Sequence, residues 1–369
     1  MEREVLIKSI KLQNYRNYNN LEIAFHEKTN IFYGDNGQGK TNILEALYLA
    51  GTTKSHRRTK DRDLIQFGYE EGHIEIAVEK NKTTHTIDMH LKKNSAKGIA
   101  INKIPIKKAV ELFGLVHFIF FSPEDLNIIK AGPSARRRFM DLELCQLDKI
   151  YLSNLHNYSK VVSQRNALLR ASNRDENLLE TLDIWDLQLI KYGNEIIDKR
   201  NDFINNINKI INNKQQELTG GREDLRIIYE KSVEKNSFKQ TLNKTREKDI
   251  KFKATSVGPH RDDICFVSEK IDLRNYGSQG QQRTAALSLK LAELELVKKA
   301  IKDTPVLLLD DVLSELDKHR QGHLLNSIRG TQTIITGTGL DELEKKNFSL
   351  DRVFYVEKGK VINQKEIIR

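Results

Sequence analysis

Apolar and polar residues alternate along Leu21-Glu22-Ile23-Ala24-Phe25, the two-residue period of a half-buried strand. Asn30-Ile31-Phe32-Tyr33 extends into a glycine-rich loop, and a helix is expected from about Lys40 to Ala50. The same alternation at His73 to Glu79 and Thr86 to Leu91 predicts antiparallel strands over residues 65–104, forming one flank of the sheet. Val116 to Phe121 reads as an apolar strand. Ser122-Pro123 then opens a helical region of roughly a hundred residues, broken once at Ala171-Ser172-Asn173-Arg174-Asp175. Beyond that break Leu182, Trp185, Leu189, Tyr192, Ile196, Phe203, Ile207 and Ile210 recur at spacings of three, four and seven, which is one face of a long amphipathic helix. Two helices of ~35 residues would each span ~50 Å and lie antiparallel, as an arm or helical lobe. Polar residues dominate again at Thr219-Gly220-Gly221-Arg222, after which short strands and a helix are expected to return to the sheet.

The expected partition is therefore an α/β head whose first lobe begins in residues 1–121, a helical lobe or arm over 122–222, and the rest of the head over 223–369. Length supports this, because 369 residues exceed the usual size of one hydrophobic core. The longest apolar runs, Val306 to Leu309 and Phe118 to Phe121, are strand-sized, so no segment approaches the ~20 residues that span a bilayer. The N-terminal residues lack the basic-then-apolar layout of a secretory signal, and a cytoplasmic protein is expected. Cys145 and Cys265 have no Cys or His at ligand spacing and read as ordinary thiols. A net charge of +10 favours a polyanionic partner such as nucleic acid, with a generally basic surface as the alternative.

Chemistry enters at Gly34-Asp35-Asn36-Gly37-Gln38-Gly39-Lys40-Thr41, a complete G-x-x-x-x-G-K-T between a strand and a helix start. Its glycines let successive backbone N–H groups face phosphate oxygens, and the helix N-terminus adds its positive dipole end. Lys40 would contact the β- and γ-phosphates of ATP, and the Thr41 hydroxyl would serve Mg²⁺. Thr304-Pro305-Val306-Leu307-Leu308-Leu309-Asp310-Asp311 is an apolar strand ending in two carboxylates, the Walker B arrangement. Asp310 is placed to hold the hydrated Mg²⁺ and Asp311 to orient the attacking water.

A second phosphate-binding turn is offered at Ser278-Gln279-Gly280-Gln281, directly ahead of a helix from Thr284 to Ala300. One ATP needs one phosphate loop, so the second is best explained by a nucleotide on another subunit. This turn resembles the ABC signature, and Ser314-Glu315-Leu316-Asp317 resembles the D-loop. The order of phosphate loop, helical insertion, signature, Walker B and D-loop fits SMC-like and ABC ATPases. It does not fit nucleoside kinases or RecA-like motors. A transporter subunit is disfavoured by the long arm and the basic balance, and a small-molecule kinase by the second phosphate turn.

Within that class the chain resembles the RecF family. The resemblance is carried by Asn14-Tyr15-Arg16-Asn17-Tyr18, the phosphate loop, Phe121-Ser122-Pro123-Glu124-Asp125-Leu126, Gly132-Pro133-Ser134-Ala135-Arg136-Arg137-Arg138-Phe139, Val257-Gly258-Pro259-His260-Arg261-Asp262-Asp263 and Leu309 to Asp317. It covers essentially the whole chain. It implies an ABC/SMC-like head with a short arm, ATP-dependent dimerisation on DNA, and recombinase loading at gaps with RecR and RecO. It also adds Arg16 to the nucleotide-binding set and places Glu124 where relatives carry the Gln loop, as a candidate for the metal. Asp311 stands where many ABC proteins carry Glu, which implies slow turnover. Gly337-Thr338 stands where transporters carry a His, leaving Thr336 or Thr338 for that switch role.

Three further clusters stand out. Lys54-Ser55-His56-Arg57-Arg58-Thr59-Lys60 is the leading DNA patch, with Lys54, Arg57, Arg58 and Lys60 as phosphate contacts, because phosphate neutralisation needs clustered cations. Arg136, Arg137 and Arg138 fall in a helix's first turn, where cations oppose the dipole, so either an anion or an internal acidic partner is expected. His260-Arg261-Asp262-Asp263 lacks the companions of a kinase catalytic loop or a metal site and is expected to make structural contacts.

Overall fold

A computed structural model describes residues 5–57, 59–171, 180–301, 303–339 and 350–364. The chain divides into two compact units, Met1–Asp125 with Glu293–Arg369, and Leu126–Ala292. In chain order the elements are β1 (Val5–Tyr15), β2 (Tyr18–Ala24), β3 (Thr29–Tyr33), α1 (Lys40–Thr52), β4 (Glu71–Lys80), β5 (Thr83–Lys92), β6 (Gly98–Ile101), β7 (Ile104–Pro105) and β8 (Phe118–Phe121). There follow α2 (Pro133–Leu147), α3 (Lys149–Ala171), α4 (Leu182–Thr219), β9 (Arg226–Glu230), α5 (Phe238–Phe252), β10 (Asp263–Ser268), β11 (Ile271–Asp272), α6 (Leu273–Tyr276) and α7 (Gln279–Ile301). The chain then returns through β12 (Val306–Asp310), α8 (Lys318–Ser327), β13 (Thr333–Gly337), β14 (Arg352–Glu357) and β15 (Lys360–Gln364).

The first unit holds two sheets of six strands. One is antiparallel throughout, in the order β2-β1-β4-β5-β6-β7. Alternation along β4 buries Ile74, Ile76 and Val78 and leaves the residues between them half-exposed, as a sheet covered on one face requires. The expected antiparallel flank of residues 65–104 is thus a sheet of its own, and β1 and β2 complete it. The second sheet runs β15-β14-β3-β13-β12-β8, parallel except for the edge pair β14–β15. β8 and β12 are buried along their whole length, which is why they read as unbroken apolar runs. One core joins the two sheets and α1, with Ile10 and Ile76 from the antiparallel sheet, Phe32, Leu308 and Phe354 from the parallel one, and Leu44 and Leu47 from the helix.

In the second unit the helical region starts at Pro133, not at Ser122. Ser122 and Asp125 close a turn instead: the Ser122 N–H donates to Asp125 Oδ2 at 2.8 Å and the Asp125 N–H to Ser122 Oγ at 3.3 Å. The expected first long helix is also two helices of 15 and 23 residues. Asp148 stops the first and caps the second, its Oδ1 accepting from the Ile150 and Tyr151 N–H groups at 2.8 and 3.1 Å. α4 is a single helix of 38 residues that buries Leu189, Ile196, Phe203, Ile207 and Ile210 as its periodicity predicts. Residues 172–175 of the expected break lie outside the described residues.

The first strands beyond Arg222, β9 to β11, do not rejoin the parallel sheet, which the chain re-enters only at β12. β9 pairs with β10 in a separate sheet ordered β11-β10-β9. Asn208 of α4 pins β9 by donating to the Ile227 carbonyl and accepting from its N–H, both at 2.8 Å. The helical unit consequently runs to Ala292, well past the expected boundary at residue 222. Three buried arginines join its parts. Arg165 reaches Asp186 and Asp249, each at 2.7 Å, and Arg200 reaches Asp141 at 2.8 Å and Asp262 at 3.3 Å. Arg136 grips Asp263 with Nε at 2.7 Å and Nη2 at 2.8 Å, so its partner is an internal carboxylate. Burying these charges requires such pairing.

Candidate nucleotide site

β3 delivers the chain into Gly34 to Gly39, and α1 begins at Lys40. Two glycines set this turn. Gly34 has φ +143°, and a Cβ there would stand 2.4 Å from the Val356 carbonyl oxygen. Gly39 has φ +116°, and a Cβ there would stand 2.4 Å from Asn17 Nδ2 and 2.8 Å from the Tyr18 hydroxyl. The backbone conformation disfavours a side chain at both positions, and at Gly34 the Val356 carbonyl excludes one as well. The Lys40 ammonium is buried and donates to the Gly34 and Asp35 carbonyls at 2.6 and 2.7 Å. Burial lowers its pKa from the ordinary lysine value, opposed by the charges of Asp311, Asp310 and Asp35.

The acidic pair stands at the end of β12, between β13 and β8. Asp310 is 7% exposed, and its Oδ1 accepts from the hydroxyls of Thr41 at 2.7 Å and Thr336 at 2.8 Å. Burial raises its pKa, and the two hydroxyl hydrogen bonds oppose that shift. Arg57 and Glu124 both act on this carboxylate through space, with opposite signs. Asp311 adopts φ +51°, the left-handed region. Its N–H donates to the Thr336 carbonyl at 3.2 Å and to Thr336 Oγ1 at 3.1 Å, while Ser314 Oγ donates to its carbonyl at 2.7 Å. Thr336 therefore fixes both acids, whereas Thr338 is exposed. In the same loop Asp317 caps α8 through the N–H groups of His319 and Arg320, both at 3.0 Å.

The oxygen-only donors Thr41, Asp310 and the nearby Glu124 carboxylate suit Mg²⁺, a hard cation that takes a few protein oxygens with waters and phosphates. Among the described residues no three His, Cys, Asp or Glu side chains assemble a metal site by themselves. His260 of the second unit instead contacts the Tyr158 hydroxyl at 2.7 Å and the Thr255 carbonyl at 3.0 Å.

A hub at Glu45 of α1 was not singled out from the sequence. Its carboxylate is fully buried and accepts from Arg16 Nε and Nη2, each at 2.9 Å, and from the Ser55 hydroxyl. Arg57 approaches it at 3.9 Å and donates to Asn42 Oδ1 at 3.1 Å. Arg16 is thus a strut between the motif of residues 14–18 and α1, and Arg57 belongs to the rim of the nucleotide site. Lys54 and Lys60 are exposed, and Arg58 lies outside the described residues. Glu45 is a lone charge in the apolar run Ile43 to Ala50, and its partners Arg16 and Ser55 lie outside the helix, where no period along the chain reveals them.

The turn at Ser278 to Gln281, expected to be a second phosphate-binding turn, lies in the other unit. Ser278 and Gln281 form a reciprocal cap at the start of α7: the Ser278 N–H donates to Gln281 Oε1 at 3.0 Å, and the Gln281 N–H donates to Ser278 Oγ at 3.2 Å. Ser278, Gln279 and Gly280 are exposed.

A family profile described as RecF/RecN/SMC N terminal domain matches residues 6–361. The DNA replication and repair protein RecF of Agathobacter rectalis is 60% identical over 97% of this chain and 99% of its own length. The protein of the same name from Lachnospira eligens is 57% identical over 98% of this chain and 100% of its own. Among solved structures, that of the recombination mediator protein RecF-ATP in the RecFOR pathway superposes with a TM-score of 0.90 at 36% identity, covering 98% of both chains. An Smc head domain from Pyrococcus furiosus shares the fold, at a TM-score of 0.58 and 15% identity. The chain belongs to the RecF/RecN/SMC N-terminal domain family, and within it to the RecF proteins.

Proposed function

We propose, with that membership as premise, that the protein is an ATP-dependent DNA replication and repair ATPase whose nucleotide state controls its hold on DNA. The observation that carries this reading is the joint placement of the Walker pair: Thr41 and Thr336 converge on one oxygen of Asp310, at 2.7 and 2.8 Å, and Thr336 also fixes Asp311. The loop N–H groups and Lys40 bind the β- and γ-phosphates. Thr41 and Asp310 would hold Mg²⁺, with Glu124 as a further candidate, and the ion would neutralise charge building on the phosphate oxygens. Asp311 orients the attacking water, and its short side chain makes turnover slow. The exposed turn at Ser278 receives the γ-phosphate of a second copy, so ATP closes a homodimer. Lys54, Lys60, Arg57 and Arg58 supply DNA phosphate contacts, gaps and junctions are the substrate class, and RecR and RecO are the partners in recombinase loading. Hydrolysis reopens the dimer.

Lys40→Met tests the core of this. ATP affinity in a calorimetric titration should be lost while the protein stays folded, and wild-type turnover should respond to gapped DNA and to no metabolite. Near wild-type ATP affinity in the variant, or turnover indifferent to DNA, would refute the reading.

A further inference from the structure

Gln38 forms the crown of the phosphate loop and is held by two segments far from it in sequence. Its carbonyl accepts from Asn17 Nδ2 at 2.9 Å and from the Gly359 N–H at 3.3 Å. Its side-chain Oε1 accepts from the Lys358 N–H at 2.7 Å. Asn17 Oδ1 in turn accepts from Asn42 Nδ2 at 2.8 Å, which ties the first turn of α1 to the same point.

Lys358 and Gly359 are the two-residue turn between β14 and β15, flanked by the paired Glu357 and Lys360. Their φ angles of +47° and +70° are those of a primed hairpin turn. A Cβ at position 359 would stand 2.5 Å from the Asn17 carbonyl oxygen. At the loop's entry, the Val356 carbonyl occupies the space a Gly34 side chain would need, and Tyr355 lies beside Tyr33 in the β14–β3 register. Four consecutive residues, 356–359, therefore meet the phosphate loop at its entry or its crown, or complete the turn that does so.

A loop that turns its N–H groups inward toward phosphate leaves carbonyls facing outward, and these need donors. The hairpin supplies one such donor to the Gln38 carbonyl, the Gly359 N–H, and a second, the Lys358 N–H, to the Gln38 side chain. We propose that the β14–β15 turn is a positioning element for the nucleotide: it holds Gln38 from behind and keeps the loop in its phosphate-accepting curvature. Lys358 and Gly359 act through Gln38, by main-chain hydrogen bonds. This inference rests on the ATP-binding reading and adds to it a distant segment on which affinity depends.

The test compares wild type, Gly359→Ala, Gln38→Met and the double variant, measuring ATP affinity by calorimetry, steady-state turnover and thermal stability. Gly359→Ala should raise the Kd and KM for ATP by about tenfold, the scale of one or two lost hydrogen bonds, and leave kcat within about twofold. Because Gln38→Met removes the Lys358 contact and Gly359→Ala displaces the turn that makes both contacts, the two changes loosen one clamp and the double variant should be little worse than Gly359→Ala alone. Unchanged ATP affinity in Gly359→Ala, or fully additive effects, would overturn the proposal. Should Gly359→Ala not fold, hydrogen exchange on the wild type decides. The Lys358 and Gly359 amides should exchange more slowly with a non-hydrolysable ATP analogue, since coupling is reciprocal, and unchanged exchange would count against the clamp. A wild type that does not bind ATP at all would instead refute the ATP reading, a distinct result.

Discussion

Asp310 and Asp311 are neighbours with different surroundings, and the roles proposed for them rest on this difference. Asp310 is buried, with two hydroxyls directed at one oxygen. Asp311 is half-exposed and held by its backbone, which leaves its carboxylate able to serve a water. Asp311→Asn should therefore bind ATP and dimerise but nearly stop hydrolysing, with DNA residence prolonged because bound ATP favours the dimer by mass action. Asp310→Asn should fail at Mg²⁺-dependent assembly itself. Turnover, dimer fraction and DNA off-rate measured together separate the two, and identical behaviour of both variants would dissolve the division of labour. Two histidines give the same scale a pH dependence. Burial pushes His117 and His260 down to about 4, so the folded protein keeps them neutral while the unfolded chain protonates near 6.5. Stability should be full above pH 6.5 and fall as pH drops toward 4, by up to about 3 kcal/mol per histidine. Urea unfolding at pH 7, 5.5 and 4.5 checks this; His117→Gln should flatten part of the slope, and an unchanged slope would remove that histidine from the account.

At the scale of elements, the helix start at Ser278 makes a cap, and mutation can separate that cap from the dimer contact proposed for it. Losing the cap with Ser278→Ala should cost about 1 kcal/mol of helix stability. Ser278→Arg should leave ATP binding to the monomer intact and abolish ATP-induced dimerisation, because a bulky cation would block the partner's γ-phosphate. Sedimentation with ATP is the measurement, and a Ser278→Arg protein that dimerises like wild type would move the contact elsewhere. Elements whose local chemistry is strong were legible in the sequence: the glycine loop, the aliphatic strand ending in two carboxylates, and the apolar stripe of α4. The stop at Asp148 was missed because an aspartate inside an amphipathic pattern reads as an exposed helix position until its side chain is seen capping Ile150 and Tyr151. β9 was sent to the wrong sheet because a short strand's partner is chosen by tertiary contacts, here Asn208, which no period along the chain reveals.

For the whole molecule, the basic balance of +10 favours a polyanionic partner, and the structure changes what a charge reversal at the proposed DNA patch would report. Arg57, exposed like Lys60, also donates to Asn42 and approaches Glu45 of α1. Reversing Lys54 and Lys60 to Glu should weaken binding similarly across DNA sequences and flatten the salt dependence by roughly 0.9 per lost phosphate contact. Adding Arg57→Glu should in addition disturb ATP turnover. Unchanged salt slopes would relocate the DNA surface. The domain division was only half legible: composition pointed to a head with an insertion, but the second unit keeps residues to Ala292 because its arginines find their carboxylates in the segments after Arg222, at Asp249, Asp262 and Asp263.

The strand order of the parallel sheet also sets a schedule for synthesis. β3, which carries the phosphate loop, lies between β13 and β14, so both its hydrogen-bonded neighbours belong to the last stretch of chain the ribosome makes. At ~5–20 residues per second, β3 waits on the order of 15–60 s for a neighbour, with both edges unpaired. The antiparallel sheet next to it has all its strands within the first 105 residues and can close early. A nascent chain stalled before Thr333 should thus display a folded antiparallel sheet beside an open, apolar strand, which is the kind of surface that chaperones engage.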